Sequence, residues 1–368
     1  MSAKPLVLGL ETSCDETAAA VVEGPRLVRS SVVATQGELH AEYGGVVPEI
    51  ASRAHAERIT PVVRAALDRA GVTLTDLDAI AVGHRPGLIG SLLVGVAAAK
   101  ALAWAHNLPL VGVDHVHAHL WAPALHEPRE HKPNEHELEP GEIAFPALGL
   151  VVSGGHTAIY RMDDALRPVR LGATIDDALG EAYDKAATVL ELPYPGGPNL
   201  DALAQTGDER AHDFPVSRLD PASLDFSFSG LKTAVLYAVR GTPRPKHEGG
   251  GHPREASELS TQQKADVAAS FQRAAVRAVI LKLGRALERL HADGVRPRSL
   301  IAGGGVTGNS RLRAELAEFA ASHGLMLRIP PMRYCTDNGA MIAGLGTLRL
   351  LAGERDDLTL HPVPTTAC

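Results

Sequence analysis

Two stretches of this chain are written twice, and that duplication limits its architecture more than any other feature. Leu148 to Tyr160 (LGLVVSGGHTAIY) follows the plan of Leu8 to Val21 (LGLETSCDETAAAV): an apolar strand, a polar turn, then Thr-Ala and a second strand. Ser299 to Leu312 (SLIAGGGVTGNSRL) likewise follows Ala79 to Leu92 (AIAVGHRPGLIGSL), each a strand, a glycine-rich turn and a helix. Two halves on one plan, each opening with a β-hairpin, predict a duplicated nucleotide-binding α/β fold with a cleft between the halves. At 368 residues the chain is too long for one ordinary core and about right for two lobes.

Strands are expected at Leu6 to Leu10, Ala18 to Val22 and Leu27 to Val33, with a turn at Glu23-Gly24-Pro25. Pro48 to Gly71 predicts two helices, because Thr60-Pro61 has the N-cap and first-turn chemistry of a new start. Strands at Ala79 to Val82 and Leu110 to Val113 then alternate with helices, which implies parallel pairing. Leu88 to Ala105, the most apolar segment, is broken by Lys100 and reads as a buried helix, not a membrane span. His126 to Glu142 is charged and proline-bearing, a linker between an N-terminal lobe, 1–125, and a C-terminal lobe, 143–337; residues 338–368 are expected to complete the first lobe. In the second lobe, helices are expected over Ile175 to Leu192, Leu231 to Val239 and Leu259 to Ala292. The basic, glycine-rich stretch Arg240 to Glu255 is either a solvated insertion or a contact to a phosphate backbone.

Composition narrows the function classes. Aromatics at 4% are too sparse for the stacking platforms of single-strand binders, and a net charge of −7 argues against coating nucleic acid with the whole surface. A local basic patch or a companion subunit could still hold one. The three cysteines, Cys14, Cys335 and Cys368, are odd in number and scattered, which fits a reducing cytoplasm. No signal peptide is visible at the start.

Chemistry concentrates in a few motifs. In VDHVHAHL (Val113 to Leu120), Asp114 suits a helix N-cap, after which His115 and His119 stand at i and i+4 on one face. A continuing strand would instead put all three imidazoles on one side. Two imidazoles one turn apart are either polar helix residues or a pair of metal ligands whose third partner lies far along the chain. Asp337, in CTDNGAMIAG, is either the N-cap of the apolar helix that follows or that missing carboxylate. VVSGG (Val151 to Gly155) is either a plain hairpin turn or one whose glycines let backbone N–H groups approach a phosphate. GGGVTG (Gly303 to Gly308) matches the dinucleotide fingerprint literally, but too little chain follows for a whole Rossmann half, and no acidic residue stands about twenty positions on. It reads as a nucleoside-binding turn, with Asn309 at a helix start able to bond a ribose or base. Glu11, Asp15 and Glu16 crowd one loop, which makes it a solvated turn unless a cation or amine faces it.

Together ETSCDET, VPEIASRAH, His115-xxx-His119, VVSGGHT, IDDALGEAYDK, YPGGP, GGGVTGN and TDNGAMIA resemble one family, the tRNA adenosine threonylcarbamoyltransferases (TsaD in bacteria), formerly called glycoproteases. The motifs span almost the whole chain in the family's order; HRPG (His84 to Gly87) departs from the usual alanine-glycine-proline-glycine. The resemblance implies an actin-like, Hsp70-like (ASKHA) fold of two duplicated lobes. It implies transfer of threonylcarbamoyl from threonylcarbamoyl-AMP to the N6 amine of the tRNA adenine beside the anticodon, with TsaB-like and TsaE-like companions in the cytoplasm and no membrane. By the same resemblance His115, His119 and Asp337 would bind one iron or zinc ion. The adenylate would lie across Val151, Val152, Ser153, Gly154, Gly155, Asp184, Gly197, Asp201 and Asn309. Glu16 is the candidate to steer or deprotonate the attacking amine. A zincin protease needs glutamate directly after its first histidine, where Val116 stands here. An ATP phosphotransferase and a non-catalytic nucleotide-binding partner are the remaining alternatives.

Overall fold

The computed structural model describes residues 4–128, 142–216, 219–220, 222–243, 250–251 and 253–364, so most of the expected linker and part of the 240–255 loop lie outside the described residues. The first half runs β1 (Leu6–Glu11), β2 (Glu16–Glu23), β3 (Leu27–Thr35), α1 (Gly37–Ala41), α2 (Pro48–Ala70), β4 (Ala79–Arg85), α3 (Ile89–His106), β5 (Leu110–Asp114) and α4 (His115–Trp121). The second runs β6 (Ala147–Val152), β7 (Thr157–Met162), β8 (Val169–Ala173), α5 (Leu179–Val189), α6 (Gly196–Ala204), α7 (Ser229–Arg240), α8 (Thr261–Ala292), β9 (Ser299–Gly303), α9 (Ser310–Ser322) and β10 (Met326–Arg328). A last helix, α10 (Gly339–Leu351), follows.

Each half forms a five-stranded sheet, and the two sheets have one order: β3-β2-β1-β4-β5 and β8-β7-β6-β9-β10. In both, the hairpin strands pair antiparallel and the later two pair parallel. The two echoes in the sequence are therefore structural repeats.

Strands β1, β2, β4 and β5 of the first sheet are largely apolar on both faces because both are covered. Leu8, Leu10, Ile80 and Val82 face α2 and α3, while Val7, Ala20, Ala81 and Val111 face α10, so the chain's end closes over its beginning. Full burial of each such leucine or isoleucine contributes about 1.5–3 kcal/mol. Helix α3 is long and apolar enough by length and composition to cross a membrane, yet it lies against α2 and β4. Helix α4 sits at the joint between the sheets: Val116 and Leu120 pack with Val151 and Ile301 of the second half, while Ala118 and Trp121 pack into the core under α10.

Two expectations are corrected. Pro48–Ala70 is one helix, with Pro61 inside it. Its buried stripe (Ala54, His55 and Ile59, then Val62, Val63 and Ala66) is continuous across the proline, so packing on the sheet outweighs the lost hydrogen bond. Helix α5 begins at Leu179, not Ile175, because Asp176 is engaged elsewhere: its carboxylate accepts from Ser227 Oγ, Phe228 N and Ser229 Oγ at the start of α7.

Pro61 is exposed, so Pro61→Ala restores one helical hydrogen bond without disturbing the core. A gain of about 3 kcal/mol from removing the helix-breaking ring, less about 1 kcal/mol for the looser unfolded chain, leaves an expected stabilisation of about 2 kcal/mol in urea denaturation.

Candidate functional site

The histidine helix is set by its cap. Asp114 Oδ1 accepts from Val116 N at 3.0 Å and His117 N at 3.1 Å, which ends β5 and starts α4 with His115 and His119 on one face. Their rings meet edge to face, centroids 4.7 Å apart, and His117 turns away against Tyr160. At α10 the cap is Asn338, whose Oδ1 accepts from Met341 N at 2.9 Å. Asp337 is thereby released from capping, and its Oδ1 stands 3.1 Å from His119 Nε2 and 3.5 Å from His115 Nε2.

These three side chains offer ligand atoms within 4.8 Å of one another. His119 is 0% exposed, yet neither ring nitrogen makes an aligned hydrogen bond. An unsatisfied buried polar group costs about 1–3 kcal/mol, and a divalent cation between two imidazoles and a carboxylate would give His119 Nε2 a partner, so the residues fit a metal. Behind them, Glu11 Oε2 lies 3.1 Å from His115 Nδ1, Ser13 Oγ lies 3.2 Å from the same nitrogen, and Ser13 N donates to the other oxygen of Glu11. A carboxylate on the far nitrogen fixes the ring so that Nε2 points at the ligand cluster. Burial alone pulls His115 down, but Asp337 and then Glu11 outweigh it and hold it up at about 9; the histidines in turn hold Asp337 low against its burial.

Beside this cluster the cleft has two compartments. The larger, about 850 Å³, is lined by Asp184, Gly197, Asp201 and Asn309. The smaller, about 430 Å³, is lined by His115, Asp337, Ser153, Gly155 and His156. Glu16, Asp15, Gly154 and Tyr194 line both, which places Glu16 at the junction. Burial first, then Asp337 and Asp15, pushes Glu16 well above the usual carboxylate range. Val151 and Val152 are fully buried in β6 with side chains in the two cores on its faces, so the turn itself, Ser153 to Gly155, meets the cavity.

The glycine turn after β9 has a packing reason. A Cβ on Gly303 would sit 2.0 Å from His119 O, and one on Gly304, whose φ is +97°, 2.3 Å from Val152 O. The literal fingerprint thus lets the turn press against both α4 and the end of β6. Asp184 accepts from Gly197 N at 3.1 Å, and burial raises its carboxyl. Asp201 accepts from Ser310 N (3.0 Å), Ser310 Oγ (2.8 Å) and Gln272 Nε2 (3.0 Å). Asn309 caps α9 through Leu312 N at 2.9 Å and donates to Gln272 Oε1 at 2.9 Å.

Sequence reasoning missed Glu11, Gln272 and His156. Glu11 ends an unbroken apolar strand and is buried, a signal hidden by grouping it with its two acidic neighbours. Gln272 is one polar residue among apolar ones on the inner stripe of α8, and only the fold brings it to Asp201 and Asn309.

A family model described as TsaD, tRNA N6-adenosine threonylcarbamoyltransferase, matches residues 27–344. A tRNA N6-adenosine threonylcarbamoyltransferase of Trichlorobacter lovleyi is 50% identical, over 98% of this chain and 96% of its own length. One of Sorangium cellulosum is 51% identical over 98% and 96%. Among solved structures, HypF of T. kodakarensis is similar at a TM-score of 0.57 and 16% identity, over 94% of this chain and 48% of its own. A full-length HypF in a phosphate- and nucleotide-bound form gives 0.54 and 14%, over 96% and 47%. At those identities the likeness concerns the fold.

Glu11→Gln is expected to weaken divalent-metal binding about 10–100-fold by isothermal titration, with the fold retained in circular dichroism. His156 is pushed down to about 4 by burial first and then by the His115 and His119 charges. Its imidazole is therefore expected to stay neutral from pH 8 to pH 5 in an NMR titration. The stability held by that neutral ring is present above its unfolded pKa, about 6.5, and is lost as pH falls from there toward 4.

Proposed function

The chain belongs to the TsaD family, the tRNA N6-adenosine threonylcarbamoyltransferases, and we propose how the two compartments of its cleft divide that reaction. The threonylcarbamoyl group of threonylcarbamoyl-AMP is transferred to the N6 amine of the adenine adjacent to the anticodon, in tRNAs reading codons that start with A, and t6A forms. The new bond joins N6 to the carbamoyl carbon; the bond from that carbon to the phosphate oxygen breaks, AMP leaves, and N6 gives up one proton. The convergence of His115, His119 and Asp337 between a glycine turn and two cavities carries this reading.

The larger compartment takes the nucleoside. Asp184 and Asp201 retain acceptor capacity for ribose hydroxyls, held in place by Gly197 N and by the Gln272–Ser310–Asn309 network. The phosphate lies against Ser153, Gly154 and Gly155, with Val151 and Val152 anchoring that turn in the core. One iron or zinc ion per chain, held by His115, His119 and Asp337, supplies Lewis-acid polarisation of the carbamoyl carbonyl when bound. Glu16, between the compartments, faces the amine as it arrives. Its raised proton affinity suits a group that takes the amine's proton as the new bond forms.

An acidic chain with few aromatics holds its RNA with help, and TsaB-like and TsaE-like companion proteins are the partners we assign, in the cytoplasm. We place the lobes at 1–125, completed by 338–368, and 143–337, joined by 126–142.

The test incubates the protein and its companions with threonylcarbamoyl-AMP and unmodified tRNA, and analyses the digested nucleosides by mass. Expected is t6A formation that falls about 10²–10⁴-fold in Glu16→Ala. A variant with undiminished transfer removes Glu16 from the mechanism, and a parent protein that forms no t6A removes the reading itself.

A further inference from the structure

We propose that the C-terminal tail, His361 to Pro364, is a wall of the smaller compartment and sets how the acceptor RNA enters it, an inference that rests on the reaction assigned above. The tail is anchored before it reaches the cleft. Asp356 N donates to Leu110 O at 2.8 Å, Asp356 Oδ2 accepts from Gly112 N at 2.8 Å, and Leu360 is buried in the first lobe's core. It then crosses the end of β4. Val363 N donates to His84 O at 2.9 Å, His84 Nδ1 lies 3.2 Å from His361 O, and Gly87 N donates to Pro364 O at 3.3 Å. Pro364 so reaches the smaller cavity, which it lines with Pro86, Gly87 and Leu88.

This wall is stacked on the metal site. Leu88 N donates to Ser13 O at 2.8 Å, and a Cβ on Gly87 would meet that same oxygen at 2.6 Å. The Ser13 hydroxyl stands 3.2 Å from His115 Nδ1. Tail, turn and Ser13 are therefore layers of one support ending at a ligand imidazole. The turn also contributes a side chain to this support: the His84 ring contacts the tail, which an alanine there could not do.

The larger compartment, with Asp184, Asp201 and Asn309, is not lined by Pro364, Pro86 or Gly87. The tail thus stays clear of the nucleoside pocket and borders the compartment of His115, Asp337 and the Ser153–Gly155 turn, which the acceptor amine must enter to reach the carbamoyl carbon. Two prolines and a leucine present an apolar surface with few donors, matched to the flat face of a purine whose amine points at the carbamoyl carbon.

Two variants test this: a chain ending at Leu360, and His84→Ala, which keeps the full length. Each is assembled with its companions, and the Kd for an anticodon stem-loop RNA is read by fluorescence anisotropy beside the Kd for AMP by calorimetry. Expected is RNA binding weaker by about tenfold in the truncation and about threefold in His84→Ala, with AMP affinity within about twofold of the parent. Unchanged RNA binding in both variants overturns the proposal. So does a parallel loss of AMP affinity, which would make the tail a brace for the whole cleft. A parent that binds RNA through the tail but forms no t6A supports the wall and overturns the assigned reaction.

Discussion

His119 is fully enclosed with both ring nitrogens unbonded, and three unrelated parts of the chain are arranged around that fact. Its helix is started by Asp114, its neighbour His115 is oriented by Glu11 from the first strand, and the carboxylate facing both comes from the residue before the cap of α10. Each contribution requires the others. A polar cluster at such depth is stable only when its members have partners, and the three ligand atoms stand close enough together for a cation to supply one. The packing follows the same logic: Gly303 and Gly304 have no side chains because the turn must lie against His119 and Val152 at backbone distance.

Electrostatics divides the cleft. Around His115 and His119, carboxylates and imidazoles alternate, Glu11 to His115 to Asp337 to His119, so each acid has an imidazole beside it. Glu16 is the exception, since burial, and then the charges of Asp337 and Asp15, raise its hold on a proton. That carboxylate stands at the junction of the two compartments. In the larger compartment the acids are held by neutral donors instead: Gly197 N on Asp184, and Ser310 and Gln272 on Asp201.

Much of this could be read from the residues, for identifiable reasons. The twofold plan was visible because strand, turn and strand leave a period in apolarity that survives divergence, as at Leu8–Val21 and Leu148–Tyr160. The histidine pair was visible because a helix fixes i and i+4 on one face, and Asp337 because it stands beside a start signal; that Asn338 takes the cap was not, since both residue types cap well. Tertiary packing decided the rest. Continuous burial overrode the break signal at Pro61, and the engagement of Asp176 with α7 delayed α5. Glu11 and Gln272 were hidden because their partners, His115 and the Asp201–Asn309 pair, are distant in sequence and leave no local period.

The closure of α10 over the first sheet has a consequence for biosynthesis. Until Gly339–Leu351 leaves the ribosome, the face carrying Val7, Ala81 and Val111 has no cover, and Asp337 has not yet met the histidines. The nascent first lobe therefore carries an open apolar side while the whole of the second half is being made. Chaperone protection during that interval, and closure of the His115–His119–Asp337 cluster only once Asp337 has been made, follow from the order in which the residues are made.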